Sequence, residues 1–183
     1  GGTRKGFVYL HLVPDAYSKR IMGWRLSPNL HADATISALR MAIRNAGCDL
    51  TGLIHHSDRG CQYCCEKYVN LLQDNGIQIS MTQDGDPRDN AIAERVNGIL
   101  KTEWLNDENF EVYADAHTRI SQVIDIYNTR RPHLSLNYKT PAQAYAEVGE
   151  QVRVWKNYYK GSNPQKVASV ISKLTSGCRT LQI

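Results

Sequence analysis

Apolar residues along this chain switch between two spacings, and the switches mark its elements. Gly6-Phe7-Val8-Tyr9-Leu10-His11-Leu12-Val13 is a run of strand formers. Pro14-Asp15-Ala16-Tyr17-Ser18 supplies turn chemistry, and Arg20-Ile21-Met22-Gly23-Trp24-Arg25-Leu26 returns as the second arm of a hairpin. From about Ala32 to Ala46 the spacing becomes helical, with Ile36, Leu39 and Ile43 on one face and Gly47 as the stop. Leu53 to Ser57 predicts a short strand. Tyr63 to Asp74 predicts a helix with Cys65, Tyr68 and Leu72 on one stripe, ended by Asn75-Gly76. Ile77 to Met81 reads as another strand.

From residue 32 onward the order is α-β-α-β, which implies parallel pairing and right-handed crossovers. Joined to the hairpin, these units predict an α/β fold. Strands near 7–13, 20–26, 53–57 and 77–81 share one mixed sheet, with helices on its faces. Asp84-Gly85-Asp86-Pro87-Arg88 is a loop by composition, and Asp89 is placed to cap a helix running to about Leu105. A further helix spans about Tyr113 to Asn128, with Tyr113, Ala116, Ile120, Val123 and Tyr127 on a narrow seam. Pro141 opens a short last helix. Residues 1–149 form the expected domain. Residues 150–183 read as an extension, with one amphipathic helix through Val167, Val170, Ile171 and Leu174.

Composition narrows the classes. The 183 residues suit one domain plus extensions, and 42% hydrophobic content is ordinary for a globular protein. No apolar run approaches the roughly 20 residues of a membrane span. Gly1-Gly2-Thr3-Arg4-Lys5 lacks a signal peptide's apolar core, so a cytoplasmic location away from membranes is expected. The net charge of +4 permits a polyanionic partner without demanding one. Arg130-Arg131-Pro132-His133 is the densest basic word, and such a word also occurs as a plain solvated loop. Cys61-Gln62-Tyr63-Cys64 has C-x-x-C spacing near His55 and His56, but a second ligand pair is missing. Reduced, partly buried thiols are the better reading of the five cysteines.

Two carboxylates carry the candidate chemistry. Asp58, in His56-Ser57-Asp58-Arg59-Gly60, follows a predicted strand, and Glu94 lies inside a predicted helix with 35 residues between them. Helical geometry puts Ile92, Val96 and Ile99 on one side and Asn90, Glu94, Asn97 and Lys101 on the other. Each feature has an ordinary explanation, a solvated helix face or a turn aspartate. Together they offer hard oxygen ligands from two elements, as magnesium requires. Strand C-terminal ends in open α/β sheets are where sites form.

The words in this order resemble a known family. They are Tyr9-Leu10, Asp15-Ala16-Tyr17-Ser18-Lys19-Arg20, Gly23-Trp24, His56 to Tyr63, Asp89-Asn90-Ala91, Glu94, Leu100-Lys101-Thr102-Glu103, Tyr127 to His133 and Thr140-Pro141-Ala142. The chain resembles the catalytic core of bacterial insertion-sequence transposases of the retroviral-integrase superfamily, those with a D, D-35-E triad. The resemblance implies a ribonuclease H-like fold, with Asp58 and Glu94 as catalytic and metal-binding carboxylates. Lys101, seven positions after Glu94, would contact DNA, as would Arg130 and Arg131, with Asn90 and Arg95 as neighbours in the site. It also implies two magnesium or manganese ions in the complete site, transposon-end and target DNA as partners, and a homo-oligomer. The family's first aspartate lies on a strand before Phe7, where this chain has not yet begun. Asp15 matches a different aspartate, in the turn. The isolated chain is therefore expected to bind metal weakly and to leave DNA uncut. The rivals are a ribonuclease H-like nuclease or junction resolvase, a non-catalytic DNA-binding fragment, and a zinc-stabilised module using Cys61 and Cys64.

Overall fold

The hairpin is the frame on which the rest is assembled. The computed structural model of the chain describes residues 8–57, 63–81, 91–106, 108, 110–147 and 180–182. Strands β1 (Tyr9–Pro14) and β2 (Ile21–Ser27) pair antiparallel, with Leu12 opposite Trp24 and Val13 opposite Gly23. Their connection is held by Asp15, which is buried. Its Oδ2 accepts hydrogen bonds from the Ser18 amide (2.9 Å) and hydroxyl (2.5 Å). Asp15 is thus a turn residue, as its place in the sequence implied.

Both faces of the hairpin are buried, which is why its sequence reads as a nearly continuous apolar run. Val13 and Met22 face a cluster with Ile36, Leu39 and Ala42 of α1 (Ala32–Ala46) and Tyr68 and Leu72 of α2 (Glu66–Asp74). Leu12, Ile21 and Leu26 face a second cluster. It is formed with Val96, Ile99 and Leu100 of α3 (Ala91–Leu100) and Ile120, Val123 and Tyr127 of α4 (Tyr113–Thr129). Helix α1 packs closely on β2 because Gly23 has no side chain. A Cβ there would stand 2.1 Å from the Ala38 carbonyl oxygen and 2.7 Å from the Ala42 nitrogen. Gly47 ends α1 at φ 63°, the left-handed value that favours glycine.

Strand β3 (Ile54–Ser57) pairs in parallel with β4 (Gln78–Met81), as the α-β-α-β order requires. The expected single sheet is not what forms. Hydrogen bonds join the strands into two sets, β1-β2 and β4-β3 with β5 (Thr180–Gln182) on its other side. A strand has two edges, and those of β3 are taken by β4 and β5, so the hairpin does not pair with β3 directly. The fold remains mixed α/β, with an antiparallel hairpin and parallel strands flanked by helices. The tail helix expected through Val167, Val170, Ile171 and Leu174 lies outside the described residues.

Smaller differences have local causes. Helix α2 starts at Glu66 rather than Tyr63, although Tyr63 is itself buried. The helix expected to reach Leu105 does so, but changes at Lys101 into a π-helical turn, Lys101–Leu105. Tyr113 opens α4 half-exposed, because its hydroxyl reaches the Leu26 carbonyl (2.7 Å) rather than the seam. Helix α5 (Pro141–Ala146) carries Pro141 in its first turn and a reciprocal Thr140–Gln143 cap. Among the described residues, no helix is long and apolar enough to cross a membrane.

Candidate active site

Strand β3 delivers the first predicted carboxylate, and its histidines show how that strand is held. His55 is fully buried and its Nε2 is hydrogen-bonded to the Tyr68 hydroxyl (3.0 Å). Burial, helped by the charge of His56, holds the imidazole neutral and pulls its pKa down to about 4. His56 Nδ1 meets Ser80 Oγ (3.1 Å) across the β3–β4 ladder, where the two residues are opposite each other. Ser57 ends the strand buried, with no hydrogen-bond partner for its Oγ among the described residues. Asp58 follows it in sequence and lies outside the described residues, as does Asn90.

Helix α3 displays the second carboxylate. Ala93, Val96, Ile99 and Leu100 are buried, while Glu94, Arg95, Asn97 and Lys101 are exposed. The division expected from helical spacing is the one observed, with Glu94 turned away from the core. Among the described residues, Glu94, Lys101 and Arg130 have no ion-pair partner. At the change to the π-helical turn, Thr102 Oγ1 donates to the Gly98 carbonyl (2.8 Å), satisfying backbone that the altered winding frees. Such turns recur at functional sites.

Arg131 behaves differently from Arg130. Its Nε and Nη2 donate to the two carboxylate oxygens of Glu103 (2.7 and 2.5 Å), and its Nη1 to the Pro132 carbonyl (3.3 Å). The Arg131 hydrogen bonds, with the nearby charges of Arg131 and Arg95, hold the Glu103 carboxyl below its ordinary range. His133 is buried beside this pair, its ring edge-on to Tyr127 at 5.0 Å. Burial first, and the Arg131 charge second, bring its pKa down to about 4. The pairing of Glu103 with Arg131 escaped the sequence reading. Both residues stand in family-like words, but 28 positions apart, with nothing local to join them.

His55 is engaged by Tyr68, Cys64 is exposed, Cys65 is partly buried, and Cys61 lies outside the described residues. Among the described residues, no three histidine, cysteine or acidic side chains form a metal-holding group.

Comparison with known proteins shows an integrase-type core. Two models of the integrase core domain match residues 1–87 and 75–141. The chain belongs to the integrase core family, in its insertion-sequence transposase branch. It is 36% identical over 140 residues to the transposase for insertion sequence element IS904 of Lactococcus lactis subsp. lactis, covering 76% of this chain and 55% of that protein. It is 33% identical over 153 residues to the IS629 transposase of Shigella sonnei, covering 80% of this chain and 50% of that one. The chain thus spans about half the length of the curated relatives it matches. Among solved structures, the HTLV-2 integrase catalytic core domain in complex with magnesium, a dimeric form, superposes with a TM-score of 0.58. Identity is 20%, and the match covers 80% of this chain and 90% of that one. This likeness shows the ribonuclease H-like fold.

Proposed function

We propose that the chain is the catalytic part of a bacterial insertion-sequence transposase that cuts DNA at the element's ends and joins them to a target. Residues 1–149 form the core and 150–183 an extension. The observation that carries this reading is the exposed face of α3, with Glu94, Asn97 and Lys101 opposite a buried apolar stripe.

The side chains fit a hard divalent cation, because Glu94 offers exposed carboxylate oxygens with no partner among the described residues. Asp58 and Glu94 would hold magnesium or manganese, two ions in the complete site. When bound, these ions neutralise phosphate charge and make water more acidic. Lys101 and Arg130 meet backbone phosphates as free cations, with Arg95 and Asn90 beside the carboxylates. Arg131 is already neutralised by Glu103 and takes a smaller share. In the first step water cleaves a phosphodiester and leaves a 3′ hydroxyl. That oxygen then attacks a target phosphate in line. One P–O bond forms as another breaks, so no outside energy source is needed. The core's contribution is alignment and charge.

The working protein is a homo-oligomer on DNA in the bacterial cytoplasm. A dimeric form of the HTLV-2 core supports the first part of that reading. The test is a strand-transfer assay with magnesium, using the intact protein and DNA carrying the element's ends. Glu94→Gln and Asp58→Asn should each abolish cleavage and joining while circular dichroism and DNA affinity survive. Full activity in Glu94→Gln would refute the assignment, and hydrolysis without joining would indicate a nuclease.

A further inference from the structure

We infer that Glu103 and Arg131 are positioning residues: their two-pronged ion pair braces the Glu94 helix against the hairpin and so sets where the Glu94 carboxylate stands. The inference rests on the reading of Glu94 as a metal-binding carboxylate.

The structure supplies a continuous path from frame to carboxylate. The end of α4 is fastened to the hairpin. Asn128 accepts from the Ile21 amide (2.9 Å) and donates to its carbonyl (3.0 Å), and the Tyr127 hydroxyl donates to the Lys19 carbonyl (3.1 Å). Arg131 follows directly, its own amide bonded to the Ile126 carbonyl (3.0 Å). From there its guanidinium grips Glu103 with two parallel hydrogen bonds, the most directional contact a side-chain pair can make. Glu103 continues the helix that carries Glu94. The apolar stripe of α3 decides which side turns inward, and the brace adds a directional constraint on roll and axial shift.

The geometry also explains why this arginine differs from Arg130. With all three of its guanidinium nitrogens engaged and a carboxylate at contact distance, Arg131 has little charge left for a phosphate. Glu103 lies in the π-helical turn that continues α3, so the brace acts at the C-terminal end of the helix that carries Glu94.

Manganese binding to the intact protein, followed by electron paramagnetic resonance, tests this with a sign that simple electrostatics cannot imitate. Removing a cation near a metal site should tighten metal binding if charge alone matters. Loss of positioning should weaken it. Arg131→Gln is expected to weaken manganese binding on the order of tenfold, the lower end of what removing an orienting partner costs. Arg131→Lys, which keeps the charge but loses the fork, should weaken it as well. The exchanged double variant Glu103→Arg/Arg131→Glu should recover most of the affinity. Glu108→Gln breaks a comparable pair with Arg119 (2.7 Å) and should leave affinity unchanged. Unchanged or tighter binding in both Arg131 variants, or no recovery in the exchanged pair, overturns the brace. If Glu94→Gln itself leaves manganese affinity unaltered, the metal reading fails and takes the brace with it. A loss in Glu94→Gln without one in the Arg131 variants sinks the brace alone.

Discussion

Gly23→Ala puts the packing of the whole frame to the test. The new methyl carbon would lie 2.1 Å from the Ala38 carbonyl oxygen, 2.7 Å from the Ala42 nitrogen and 3.0 Å from the Ala42 Cβ. The first two are backbone atoms of a helix, so no side chain can swing aside. Ordinary contact requires α1 to retreat by about 1 Å, and a gap of that size forfeits up to about half the dispersion energy of each contact it opens. Ile36, Ala38, Leu39 and Ala42 all pack on this side. Overpacking typically costs about 1–3 kcal/mol, and a rigid backbone obstacle points to the upper end. For a chain of this size, 3 kcal/mol lowers the melting temperature by roughly 6–12 °C. Urea unfolding followed by tryptophan fluorescence suits the measurement, since Trp24 is the next residue. Gly98→Ala serves as the control. Nothing lies within 4 Å of its Cβ position, and on α3 it should stabilise by up to about 1 kcal/mol. A loss below about 1 kcal/mol for Gly23→Ala would refute the claim that this glycine sets the distance between α1 and β2.

Two further outcomes are expected. Lys101→Ala should weaken DNA binding without regard to sequence and reduce the salt slope by about 0.9, measured by titration across a salt series. An unchanged slope and affinity would take Lys101 out of the DNA path. Stability should also fall in mild acid. His55 and His133 are held down to about 4 in the folded chain, whereas an unfolded histidine titrates near 6.5. Below pH 6.5 the unfolded state therefore takes up protons that the folded state does not. Stability is lost from about pH 6.5 down to about pH 4, at up to roughly 1.4 kcal/mol per pH unit for each histidine. A urea midpoint that stays flat between pH 6.5 and 5, above the main carboxylate range, would contradict the burial of both rings as neutral bases.

Periodicity carried much of the architecture, because it reports which side of each element meets apolar neighbours. Helix α1 has its predicted bounds, since the Ile36–Leu39–Ile43 spacing and Gly47 are both local signals. The face of α3 bearing Glu94 and Lys101 was legible for the same reason: Val96 and Ile99 determine what turns inward. Words in the order of an integrase core then assigned roles to residues that spacing alone left ambiguous. What escaped was decided between distant parts of the chain. Strand partnership depends on which edges are already filled, and β5, about 120 residues away in sequence, takes the edge of β3 that the sequence reading had left open. The two adjacent arginines look alike in the sequence, yet Arg130 is exposed and Arg131 is bound to Glu103. That difference exists only where the end of α4 meets the turn after α3. An ion pair is set by position in space, and nothing in the periodicity of either helix encodes it.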